Sequence, residues 1–148
     1  MANLAFKRIG TILILVHNDK PPLEEEWARY LALLTSIDLE IKGDPSQASA
    51  VVFTDGGAPT SSQRLSLKKQ LQGRDGRSAV ITENIMVRGI IGIVGLFNKA
   101  IASFGPGDWK QAMNYAKVPE RQHLEILQGA ISLSREVGGS HVLRSIGL

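Results

Sequence analysis

TILILVHNDKPPLEEEW, residues 11–27, decides the fold class. Its first part, Thr11 and the aliphatic run Ile12, Leu13, Ile14, Leu15 and Val16, is short and lacks the alternation of a half-exposed strand, so it reads as a strand buried on both faces. His17, Asn18, Asp19, Lys20 and Pro21 end that strand. Pro22 suits a first helical turn, and Glu24, Glu25 and Glu26 complement the positive end of a helix dipole. Leu23, Trp27, Leu31 and Leu34 recur at helical spacing, which predicts an amphipathic helix to about Ser36. A doubly buried strand feeding a helix is the unit of a parallel sheet covered by helices.

The same unit recurs along the chain. Ala50, Val51, Val52 and Phe53 form a second buried strand that closes at Thr54, Asp55, Gly56 and Gly57, where glycine permits a sharp turn. Thr60 caps the next helix with Gln63 placed to reach back, Leu67 and Leu71 face inward, and Gly73 and Gly76 stop it. Residues 78–82 make a third strand. Asn84 caps a helix carrying Ile85, Val87, Ile90, Ile91, Val94, Leu96 and Phe97, apolar nearly all round. Gly89 and Gly92, with Gly95 nearby, each cost about 1 kcal/mol against alanine in a helix, so a close backbone approach to the sheet or to a partner is expected there. A short strand over residues 100–104 leads to Asp108, read as the cap of a helix through Trp109, Ala112, Met113 and Ala116. Beyond Pro119 a last helix over residues 120–137 presents Leu124, Leu127 and Ile131 along one line and Ile126, Ala130, Leu133 and Val137 along another. That is more apolar face than one small core needs. Residues 4–9 and 39–42 are read as edge strands, and residues 138–148 as a mobile tail or a small docking segment.

The bulk numbers fit one domain. At 148 residues with 43% hydrophobic and 21% charged residues, the chain can bury a full core without staples. It has no cysteine, which removes disulfides, thiolate catalysis and cysteine-ligated metals. A cytoplasmic location is expected from this, from the lack of a secretory-type apolar start and from apolar runs too short for a membrane span. The net charge of +3 is mostly scattered, and with aromatics at 5% nucleic acid is disfavoured as a partner. The densest basic stretch holds Arg64, Lys68, Lys69, Arg74 and Arg77 against Asp75 alone; it reads as a solvated helix face that can touch phosphate or an acidic partner.

No catalytic or metal-binding constellation is recognisable, and no cofactor is called for. A P-loop string is absent, and the glycines at 89, 92 and 95 lie inside an apolar helix rather than in a strand-to-turn dinucleotide fingerprint. His17, Asp19 and Asp55 stand at strand ends, the usual ligand position of an open α/β sheet, although polar turn and cap roles explain them as well. Glu83 at a third strand end and Arg88 one turn on read as a local ion pair on this rim. The loop from Asp55 through Thr60, Ser61 and Ser62 to Arg64 is the most informative: a phosphoryl group on one of its hydroxyls would sit at a helix N-terminus.

The order of elements resembles the STAS, or SpoIIAA-like, domains of anti-sigma-factor antagonists. The likeness covers residues 4–117 and is carried by residues 78–84, the apolar helix after them, and residues 103–112, Ser-Phe-Gly-Pro-Gly-Asp-Trp-Lys-Gln-Ala. It implies a single STAS-like α/β domain over residues 1–117 with a mixed, largely parallel sheet; the helix over 118–137 lies outside the likeness, and its two apolar lines suggest an added element that packs on the domain or on a second copy. It also implies a noncatalytic regulatory module of bacterial signalling that docks on a kinase-like or other signalling protein through the loop after the second core strand. Those domains place a phosphorylatable serine directly after an aspartate; here Gly56, Gly57, Ala58 and Pro59 intervene before Thr60. The competing reading is a small-ligand protein, for a nucleotide or a lipid, that uses the strand ends or the glycine-rich helix.

Overall fold

The aliphatic run is β2 (Ile12–His17), buried along its whole length inside a five-stranded sheet. The computed structural model describes residues 1–97 and 100–147, the side chains of residues 93–97 excepted. The strands lie in chain order: β1 (Leu4–Ile9), β2, β3 (Ser49–Thr54), β4 (Arg77–Ile81) and β5 (Ile101–Phe104). β1 pairs antiparallel with β2, and β2 to β5 are parallel. The α/β class and the largely parallel sheet follow from the buried strands, since each parallel neighbour needs a helical crossover that covers a face.

The two faces have separate cores. Ile12, Ile14 and Val16 of β2 join Val51, Phe53, Ala79 and Ile81 beneath α4 (Trp109–Tyr115), α5 (His123–Ser134) and α6 (His141–Ser145). Leu13 and Leu15, pointing the other way, pack with Trp27, Tyr30 and Ile37 of α1 (Glu24–Glu40), and Leu67 of α2 (Ser61–Leu71) rests against them. α3 (Ile85–Phe97) packs beside β5 at the edge of the sheet. Both apolar lines of α5 are absorbed by its own sheet: Ile126, Leu127, Ala130 and Leu133 are buried, each of the larger ones contributing about 1.5–3 kcal/mol, and Leu124 is the large apolar side chain left exposed.

Several local expectations need correction. Residues 39–42 do not form an edge strand; Leu39 and Glu40 end α1, which runs past Ser36 because Ile37 and Ile41 continue its buried stripe. Asp108 makes no cap with its side chain, since a 3-10 turn over Pro106–Asp108 leads into α4 instead. The last helix is a core α-helix with 3-10 turns at Glu120–Gln122 and Arg135–Val137. Glu83 pairs with His141 rather than Arg88. Gly89 and Gly92 make no close approach within the domain: a β-carbon on either would meet nothing within 4 Å. The side chains assigned to Val94, Leu96 and Phe97, and Gly95 with them, fall outside the described residues.

Candidate interaction site

The carboxyl ends of β2, β3 and β4 open on one rim, and backbone chemistry fixes each loop there. Gly57 donates its N–H to the Asn18 carbonyl at 2.8 Å, and a β-carbon on Gly57 would lie 2.3 Å from the Lys20 carbonyl, so only glycine lets the two loops meet. Thr54 accepts from the Gly56 N–H and donates to the Gly57 carbonyl, closing the turn from inside. Thr60 and Gln63 form the reciprocal cap read from the sequence: Gln63 N–H to Thr60 Oγ1 at 3.2 Å and Thr60 N–H to Gln63 Oε1 at 2.9 Å. Gln63 also donates to the Pro22 carbonyl, and Trp27 Nε1 donates to the Gln63 carbonyl, so the starts of α1 and α2 are stitched together.

This leaves Thr60, Ser61 and Ser62 exposed at the first turn of α2. The Arg64 guanidinium donates to the Pro59 carbonyl and to Ser61 Oγ, which holds it beside those hydroxyls. Asn84 caps α3 by accepting from the Val87 N–H at 3.0 Å, and its amide lies against Gly56, so the loops that lead into α2 and α3 meet.

Asp19, Asp55 and Glu83 do come together, around a hollow of ≈ 520 Å³ that Asn18, His141 and Arg144 also line. Two of these carboxylates are engaged by the C-terminal segment. Asp55 accepts the backbone N–H groups of His141 and Val142, each at 2.9 Å, and Glu83 Oε2 is 3.0 Å from His141 Nε2. The segment after Val137 is thus a docked helix, capped by Ser140 through the Leu143 N–H, with Val142 and Leu143 buried in the core. Gly138 and Gly139, both at positive φ, make the turn into it. These contacts were hidden in the sequence, although Ser140 three residues before Leu143 is a cap signal.

His17 does not join the hollow. It is 2% exposed on the α1 side of the sheet, its Nδ1 has no hydrogen-bond partner, and burial pushes its pKa down to about 4. Arg88 turns away as well, its guanidinium lying over Gly105. Glu26, read as simple helix-end charge, is 2% exposed and accepts the N–H groups of Asn3, Leu4 and Leu23, tying β1 to α1. Among the described residues no three His, Asp or Glu side chains gather to hold a metal ion, and no helix is long and apolar enough to cross a membrane.

The basic stretch splits in the fold. Arg74 pairs with Asp38, and Arg77 lies over the Tyr115 ring at the opposite end of the sheet, leaving Arg64, Lys68 and Lys69 exposed on α2. The feature that sequence reasoning missed is the outer face of α3: Ile85, Met86 and Ile90 are 84%, 78% and 61% exposed. Pattern alone cannot separate a buried apolar helix from one that waits for a partner. Comparison with family models, curated proteins and solved structures finds no match to this chain.

Proposed function

We propose that the protein is a noncatalytic regulatory module of the STAS, or SpoIIAA-like, kind, working in the bacterial cytoplasm by docking a kinase-like or other signalling protein on the rim where α2 and α3 begin. The exposure of Ile85, Met86 and Ile90 carries this reading. Together they present on the order of 400 Å² of apolar surface, the size at which patches on folded domains mark interaction sites. Two of the rim carboxylates, Asp55 and Glu83, are engaged by the C-terminal helix, which supports docking over catalysis.

Control by phosphorylation belongs to the same proposal. A phosphoryl group on Ser61 or Ser62 would meet the open N–H groups of α2 and the Arg64 guanidinium, and would set close to two negative charges beside the docking face.

A photoreactive amino acid at position 86, with position 124 of α5 as an exposed apolar control, tests the docking face in the cells that make the protein. A discrete protein adduct at 86 and none at 124 is expected. No adduct at 86, or the same ladder of adducts at both positions, would sink the reading. A co-purifying small molecule seated in the strand-end hollow would replace it with ligand binding.

A further inference from the structure

The outer face of α3 has a definite shape. Ile85, Gly89 and Gly92 fall on one i, i+4, i+7 line, and Met86 and Ile90 on the next, so a ridge of two large side chains stands beside a floor of two glycines. Both glycines open to empty space. A ridge–groove surface of this kind is what one helix offers to another, and the missing β-carbons let the axes come closer than the usual ~8–10 Å. Glycine in a helix interior is unfavourable, and among the described residues nothing packs on Gly89 or Gly92 to compensate.

The neighbouring surface carries charge of one sign. Residues 60–72, the whole of α2 with its caps, contain no acidic residue. Arg64, Lys68 and Lys69 are exposed, and the ion pairs among the described residues use none of them. Leu65 stands among them at 53% exposure. The two helices belong to successive crossovers between neighbouring parallel strands, whose single hand sets them on the same face of the sheet. Asn84 lies against Gly56, in the loop that leads to α2, so the two crossovers meet at the rim. Of the nearby anions, Asp55 and Glu83 are held by the C-terminal helix and Glu24 accepts from Gln63 Nε2 where α1 meets α2; among the described residues none forms an ion pair with Arg64, Lys68 or Lys69.

We propose that this compound surface seats an acidic amphipathic helix of a protein partner. Its apolar stripe fills the α3 groove between the Met86–Ile90 ridge and the glycine floor, and its carboxylates face Arg64, Lys68 and Lys69. The inference rests on the docking reading above and specifies the element that the partner supplies. A nucleic acid would satisfy the cations but leave the apolar groove in water, and among the described side chains no exposed aromatic ring stands there to stack on a base.

A display library of helical peptides of about 16 residues tests this, each with a fixed leucine stripe and with flanking positions randomised among Glu, Lys, Gln and Ser. Selection on the full chain is expected to enrich Glu at the flanks. The selected peptides should lose about tenfold or more in affinity for Lys68→Glu/Lys69→Glu and for Ile85→Asp/Ile90→Asp, and should weaken with added salt. Enrichment of Lys, no charge preference, or no enrichment overturns the inference. So does binding of phosphatidylglycerol vesicles in place of peptides, lost in both variants, which would make the face a membrane contact. A native partner that keeps its affinity for Lys68→Glu/Lys69→Glu but loses it for Ile85→Asp/Ile90→Asp also overturns the acidic helix, and leaves the docking module standing.

Discussion

His17 shows how a single residue can be structural where its position suggests chemistry. It ends β2 opposite Leu4 and Thr54, buried and without a partner for Nδ1. In the unfolded chain its imidazole takes a proton near pH 6.5, in the fold only near pH 4. Between those values the unfolded state holds more protons, so stability rises with pH across that window and is lost as pH drops from 6.5 toward 4, by about 3 kcal/mol if His17 acts alone. Urea unfolding of wild type and His17→Leu at neutral pH and at about pH 4.5 checks this; the variant should lose distinctly less stability on acidification. Gly57 makes the second residue-scale prediction. With carbonyls of Asn18 and Lys20 where its β-carbon would go, Gly57→Ala should cost about 1–3 kcal/mol in urea denaturation, with the rim loops shifted.

At the scale of elements, α3 and α6 behave in opposite ways. α3 looks like core in the sequence and stands open in the fold. Gly92→Ala should therefore stabilise the free protein by about 0.4–1 kcal/mol in thermal unfolding, because the substitution meets only solvent, while lowering affinity for a helix seated in the groove. A variant that lost stability would mean that α3 packs its glycines inside the domain. α6 looks like a tail and is docked. Leu143, 4% exposed, should cost about 2–5 kcal/mol when cut to alanine, and a chain ending at Val137 should unfold at lower urea.

These two helices also mark how far the sequence could be read. Doubly buried strands, the Thr60–Gln63 cap, the Asn84 cap and the stripe of α1 are local signals, legible because neighbouring residues settle them. Whether an apolar helix is covered depends on what lies across from it. The sheet ends at β5, one strand beyond β4, so α3 sits at an edge with nothing packed outside it, and no local pattern encodes that. The grip of Asp55 on α6 spans 86 and 87 positions of chain, which spacing along the sequence cannot reveal. His17 drops out of its grouping with Asp19 and Asp55 for a simpler reason. Alternation along β2 turns His17 into the α1 face with Leu13 and Leu15, away from the rim.

As a whole molecule the protein builds a core on each face of its sheet and, among the described residues, leaves the apolar outer face of α3 uncovered, on the same side of the sheet as a helix with three cations outside any ion pair. Ile85→Asp/Ile90→Asp should leave folding stability within about 0.5 kcal/mol of wild type, since both side chains already face water. Native mass spectrometry of wild type and this double variant, each purified gently from its own cells, measures directly whether that face holds a protein. A wild-type complex of fixed stoichiometry that is absent from an equally stable variant is the predicted result; a partner-free wild type, or a complex that survives in the variant, would contradict it.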